Sequence, residues 1–436
     1  MTKAENVLFR NANVLDLVAG EIRADQSVLV HEGRIAEVEG PGLKLPANTR
    51  ELEVKGMTLM PGLVDAHVHT TAVTADLAAL TRWVPSYVTA RSSTILAGML
   101  MRGFTTVRDA GGADYGLADA VREGYLTGPR VLFCGHALSQ TGGHGDMRSP
   151  GDHSSFEGCF CAGLGLVCDG VDEVRRATRN EIRQGATHIK LMASGGVASP
   201  TDRITSTQFS VEEMTAIVEE AEAASLYVLA HAYTARSINR ALSCGVRSIE
   251  HGNLLDDTSI DLFLQKDAFL VPTLVTYYAL ARDKSLPGWL HAKLGEVLDA
   301  GIRALERAYR RGVPIAFGSD LLGAMQEQQL TEFALRSEVQ PPLEVLRAAT
   351  TNAAKLLRME GQIGIVAPGA LADLIVLDGN PLENLGIVQD PQRHLKLIMK
   401  EGTVYKNELP NEGMAKGGRR SPTREEEAVC LNEAEA

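Results

Sequence analysis

The chain has 436 residues, 44% of them hydrophobic and 22% charged, with a formal net charge of −12. That length can bury a large core and fits one barrel-sized domain plus a smaller one, and the ordinary composition excludes a disordered, collagenous or fibrous chain. The acidic balance without a basic stripe argues against a nucleic-acid partner. No apolar run approaches the ~18 residues of a membrane span, and the start carries no secretory pattern, so a cytoplasmic protein with no membrane partner is expected.

In chain order, residues 1–58 read as short strands with turns: "NVLFRNANVLD", then "SVLVHEGRIAEVE" hinged at Glu32 and Gly33, then "TRELEVKGMTLM". From 59 to 364 short apolar runs alternate with segments of helical periodicity, the pattern of βα units around a parallel sheet. The runs fall at 59–69, 105–110, 130–137, 187–194, 227–232, 247–252, 268–273 and 314–320. Eight of them predict a closed (β/α)8 barrel, and the open doubly wound alternative lacks a glycine-rich phosphate turn. The segment "SVEEMTAIVEEAEAAS" between two runs opens with Ser210 and Glu213 in capping-box spacing. Residues 365–410, with "GALADLIVLDGNP" and "LKLIMKEGTVYKNE", return to strand character, so the two ends are expected to meet in one small β domain. The polar tail 411–436 is expected to fray. The six cysteines, Cys134, Cys159, Cys161, Cys168, Cys244 and Cys430, match neither a zinc ribbon nor a disulfide scaffold and read as reduced thiols.

Active sites of such barrels lie at the C-terminal ends of the strands, and the polar residues there form a short set. "DAHVH" places His67 and His69 on one face of the first run; Lys190 lies in the fourth, His231 and His251 end the fifth and sixth, and Asp320 closes the eighth. Imidazoles and a carboxylate are the ligands of a hydrolytic zinc site. Lys190 admits two readings: a salt-bridged lysine inside the barrel, or one driven neutral beside cations and captured by carbon dioxide as a bridging carbamate.

The motifs "PGLVDAHVH", "IKLMASGG", "LAHAYT", "IEHGN", "FGSDLLG" and "PGALADLIVLDGNP", in this order, resemble the amidohydrolase superfamily, in particular its prolidase-like and imidazolonepropionase-related branch, over residues 5 to 408. The resemblance implies a distorted (β/α)8 barrel of the TIM type, a β-sandwich built from both ends of the chain, a binuclear zinc centre and a homo-oligomer. It assigns His67, His69 and Asp320 to the more buried metal, His231 and His251 to the more exposed one, and Lys190 to a carbamylated bridge. Asp320 would also carry the proton from the attacking hydroxide to the leaving nitrogen. His144, in the loop "ALSQTGGHGDMRSP", and Tyr233 are implied to contact a substrate carboxylate or the developing oxyanion, with Arg203 a further carboxylate candidate.

The remaining polar residues are discounted. His188 is expected to fill the barrel one layer below Lys190, His136 to stand beside the third strand, and His31, His291 and His394 to be peripheral. Glu250 is expected to point away from the face of His251 as a support. Trp83 and Tyr87 are expected either to pack or to receive an aromatic group. The expected substrate is a small amide with a free carboxylate, a dipeptide or an N-acyl amino acid such as ochratoxin A. The alternatives are a urea, carbamate or cyclic amide, and a non-catalytic scaffold, which would be expected to have lost ligands.

Overall fold

The sheet at the chain ends begins with β1 (Asn6–Asp16), β2 (Glu21–His31) and β3 (Arg34–Glu39), three antiparallel strands in sequence. The β2–β3 turn falls at Glu32 and Gly33, both at positive φ (48° and 78°), as a two-residue hairpin of matching twist requires. A computed structural model describes residues 6–40, 43, 45–153 and 164–410. The expectations for the tail and for Cys159, Cys161 and Cys430 lie outside the described residues; Cys134, Cys168 and Cys244 are free.

β4 (Thr49–Glu53) and β5 (Thr58–Pro61) lie parallel to β1, along its first and second halves. β15 (Leu374–Leu377), β16 (Leu395–Lys400) and β17 (Thr403–Asn407) extend the sheet beyond β5, with Leu59 opposite Val376. Alternating residues of both ends, among them Phe9, Val28, Val376 and Leu397, are buried together in this domain's own core.

Only Gly62 separates β5 from the first barrel strand, β6 (Leu63–Val68). β6, β7 (Phe104–Asp109) and β8 (Arg130–Phe133) are parallel neighbours. The third predicted run is broken: β8 gives way to β9 (Ala137–Ser139), with β10 (Gly165–Val167) beside it. The ladder passes from β8 to β11 (Ile189–Met192) where Thr187 N donates to Phe133 O (2.8 Å), then through β12 (Val228–Thr234), β13 (Ser248–Leu254) and β14 (Phe269–Val271).

The eighth run is not the regular strand expected. Residues 314–320 form one bridge, Leu270 with Ile315, yet close the barrel by donating from Ala316 N to Leu270 O (3.0 Å) and from Asp320 N to His67 O (2.8 Å) while Phe317 O accepts from Ala66 N (2.8 Å). Gly318 explains the close approach, because a Cβ there would strike Val271 and the Cβ of His67.

Helices cover the outside, and the one at Val211–Ala223 opens with the predicted box: Ser210 Oγ accepts from Glu213 N, and Glu213 Oε2 from Ser210 N. The barrel is fastened to the β domain by Arg130, which pairs with the buried Asp373 (2.7 Å) and with Glu401 (2.5 Å). Among the described residues no helix is long and apolar enough to cross a membrane.

Candidate active site

β6 ends at Val68, and His67 and the following His69 turn their Nε2 atoms to one oxygen, Asp320 Oδ1, at 3.3 and 3.2 Å. Each ring is fixed through its other nitrogen. His67 Nδ1–H donates to Glu250 Oε2 (2.6 Å) and His69 Nδ1–H to the Gly111 carbonyl (2.9 Å), so both Nε2 lone pairs face the site. Two buried carboxylates hold the backbone around them. Asp65 accepts from His67 N, Ser319 N, Ser319 Oγ and Gln329 Nε2, joining the first and eighth segments. Asp109 accepts from Thr70, Gly111 and Ala113.

Glu250 departs from the expectation. Strict alternation would send it away from His251, yet both face inward. His251 sits at φ 77°, and this left-handed residue ends the period of two. Glu250 therefore lies in the barrel interior, where Oε1 accepts from Arg108 Nη2 (2.9 Å) and Ser248 Oγ (2.6 Å) while Oε2 holds His67. Burial opposes its charge, but the Arg108 guanidinium and His67 keep it well below the usual carboxylate range. His251 is oriented by Nδ1 on Thr273 Oγ1 (2.7 Å), and Thr273 (φ 47°) and Asp320 (φ 53°) are also left-handed.

His67, His251 and Asp320 offer ligand atoms that all lie within 4.8 Å of one another. His231 adjoins them, its ring centroid 4.6 Å from that of His251, and its Nε2–H donates to Gly195 O (3.1 Å), which leaves Nδ1 free. Burial would raise Asp320, but His67 and His69 hold its carboxyl well below the ordinary range. Lys190 is 1% exposed inside the barrel, and burial pushes its ammonium down against the pull of Glu250 and Asp320. His67, His251 and Asp320 thus form one cluster, with His69 on Asp320, His231 beside His251 and Lys190 buried in the same barrel; Glu250 is the support expected, while Gly111, Gly195 and Thr273, which orient the other rings, carry no signal in the sequence. Asp65 and Asp109 were visible as acids inside apolar runs, and that was their only signal.

Above the floor is a small chamber of about 60 Å3, walled by Met147, Leu164, Met192, Val197, Leu280 and other mostly apolar side chains. His144 and Tyr233 both line it. His144 stacks on His231 at 4.1 Å between centroids, and Tyr233 meets the same ring edge-on at 4.8 Å. Burial pushes His144 down to about 4 and the Tyr233 phenol up. Tyr277, not singled out from the sequence, also lines the chamber, and its buried hydroxyl lies against Tyr233 and Thr273.

Arg203 is exposed at the end of the loop after β11 and is not part of the chamber wall. His188 is buried and bonded to Asp109 O (2.9 Å), His136 faces Glu181 (3.2 Å), and neither reaches the chamber. Trp83 and Tyr87 pack on each other beneath Arg91 and stay outside the chamber. Arg91 instead lines a second cavity of about 600 Å3 with Trp289, Leu286 and Pro200; the two cavities share Leu77, Met147, Ala198 and Leu322 as a common wall.

Residues 58–406 match the family model described as the amidohydrolase family. The ochratoxinase of Aspergillus niger is 32% identical over 394 residues, covering 87% of this chain and 81% of that protein. A solved prolidase complexed with N-methylphosphonate-L-proline is 49% identical with a TM-score of 0.90, over 92% of this chain and 100% of the other. A Xaa-Pro dipeptidase with methionine bound in its active site is 27% identical with a TM-score of 0.83, over 92% of this chain and 100% of the other.

Proposed function

Given that the chain belongs to the amidohydrolase family and is a hydrolase of amide bonds, we propose that it cleaves dipeptides or N-acyl amino acids bearing a free carboxylate, at a centre of two divalent ions, with zinc the expected metal. The donor set fits such a centre. Four imidazoles each commit one nitrogen to a hydrogen bond on Glu250, Gly111, Gly195 or Thr273 and keep the other free, and Asp320 is held ionised among them. Bound there, the ions supply a lowered pKa for water and polarisation of the scissile carbonyl.

The side chains do the rest. Lys190, pressed toward the neutral amine by burial, forms an N–C bond to carbon dioxide, loses a proton and becomes a carbamate, which adds the missing anionic ligand. Asp320 takes the proton of the attacking water and hands it to the leaving nitrogen. His144 and Tyr233 hold the substrate carboxylate, Tyr277 supports Tyr233 from behind, and the apolar wall excludes competing water. The acyl half of the substrate is placed toward the wall that the chamber shares with the larger cavity.

The observation that carries this reading is the placement of two polar groups, His144 and Tyr233, against one ligand ring inside an otherwise mostly apolar chamber. The prolidase, dipeptidase and ochratoxinase relatives support the same bond class. The test is a mass-based screen of zinc-loaded protein against dipeptides, N-acyl amino acids including ochratoxin A, and several ureas and carbamates. Release of a free C-terminal amino acid is the expected result. Turnover confined to a urea or carbamate would overturn the carboxylate reading.

A further inference from the structure

The loop that follows β11, residues 194–206, is fastened from outside the barrel by one side chain. Lys293 lies on the helix Gly288–Arg310, and its Nζ donates to Gly196 O (2.8 Å), Ser199 O (2.8 Å) and Asp202 Oδ1 (3.1 Å). These three bonds use all the donors of an ammonium. The Asp202 side chain is 2% exposed and that of Lys293 14%, so the pair is largely shielded from water. Asp202 Oδ2 accepts from Gly196 N (3.1 Å) and Gln208 Nε2 (3.0 Å), and Gln208 Oε1 accepts from His144 N (2.9 Å).

The network ends on the His144 ring. Ser199 donates its one hydroxyl hydrogen to Asp202 Oδ1, so its oxygen accepts from His144 Nδ1–H (2.8 Å). That fixes the tautomer and leaves Nε2 as the other functional nitrogen of the ring. The ring also occupies the space a side chain at position 196 would fill, so the position of Gly196, fixed by Lys293, limits where the imidazole can lie. The metal side of the same loop is held separately. Gly195 N donates to Ser206 O (3.0 Å) and Ser194 bridges Thr207, which keeps Gly195 O on His231 without Lys293.

We propose that Lys293 is a positioning residue for substrate recognition: through Asp202 and Ser199 it sets the tautomer and orientation of His144, and so the grip on the substrate carboxylate, without touching the substrate. Its ammonium also lies 5.4 Å from the ring centroid of Trp289, which lines the larger cavity, so the same residue joins the walls of the two cavities. The proposal rests on the assignment of His144 to the carboxylate.

The test compares wild type, Lys293→Met and Lys293→Arg in the full chain, with N-acetyl-L-phenylalanine and glycyl-L-proline as substrates. It reads KM, kcat, zinc content, the urea midpoint, and the imidazole 15N spectrum, with the His144 signals assigned by His144→Gln. For Lys293→Met the expected result is a KM raised roughly tenfold, kcat within about twofold, unchanged zinc, and a lost or shifted His144 Nδ1–H signal, with Lys293→Arg closer to wild type. Unchanged KM and an unchanged His144 signal would overturn the proposal. So would a joint fall of kcat, zinc content and urea midpoint with no separate change in KM, which marks a merely structural lysine. If wild type releases no amino acid from either substrate, the functional reading falls for these compounds, while the imidazole spectrum still decides for or against Lys293.

Discussion

The floor of the chamber, with its histidines and Asp320, and the wall around His144 are built by different means. On the floor every imidazole sits on a barrel segment or the residue next to it, and its second nitrogen is held by another barrel segment or the loop beyond one, across the barrel for His67 on Glu250 and from the neighbouring segment for His251 on Thr273. On the wall, His144 comes from a loop and is held by another loop, Ser199, which is in turn tied to a helix through Lys293. His67, His231 and His251 are thus carried by barrel strands, as is Tyr233 on β12, whereas His144 is carried by a connection that can change without disturbing the sheet.

The comparison should break most severely at Asp320, which we propose to serve both as ligand and as proton carrier. Asp320→Asn is expected to lower kcat by roughly 10³–10⁴ and to reduce bound metal, measured by steady-state kinetics and metal analysis. Next comes Glu250→Gln. The amide sets an NH2 donor against either the His67 Nδ1–H or the Arg108 guanidinium and leaves Arg108 buried without its counter-charge. A loss of about 3–5 kcal/mol in urea denaturation is expected, with metal affinity down about 10–100-fold.

The wall should respond differently. Tyr233→Phe is expected to raise KM for an N-acyl amino acid roughly tenfold while metal content stays at the wild-type level. A fall in metal content instead would show that wall and floor are not separable. The smallest effect is on pH dependence. Burial, with the Arg108 charge second, pushes His188 down to about 3 in the folded chain, against about 6.5 when unfolded. Its neutral form therefore contributes stability fully above about pH 6.5, and the contribution is lost as pH falls toward 3. His188→Gln should flatten the acid limb of urea midpoints measured between pH 4 and 7, and an unchanged slope would remove His188 from the acid response.

The floor was largely legible in the sequence, because strand ends mark depth in a barrel and the residues at those ends were unusual. Glu250 is misdirected by alternation because alternation assumes regular φ, and the left-handed stretch begins at His251, one residue before the glycine, Gly252, that shares it. The eighth segment was read as a strand from its apolar run, but Gly318 and the left-handed Asp320 make it an irregular closure. Arg203 has the charge and the place in the loop expected of a carboxylate ligand, yet the buried charge there is its neighbour Asp202, paired with Lys293. Lys293 carried no signal at all. It lies about a hundred residues from the loop it fastens, and only the packing of a long helix against that loop brings it there.

The sheet at the chain ends sets an order of events. Thr58 Oγ1 donates to the Gly379 carbonyl, 321 residues away, and β5 finds its antiparallel partner only in β15. On the ribosome the first five strands emerge long before the strands that complete their sheet, and the whole barrel must be synthesised in between. The β domain can therefore be completed only after the chain of the whole barrel has been made, so the part of the protein that starts first is among the last to gain all its strands.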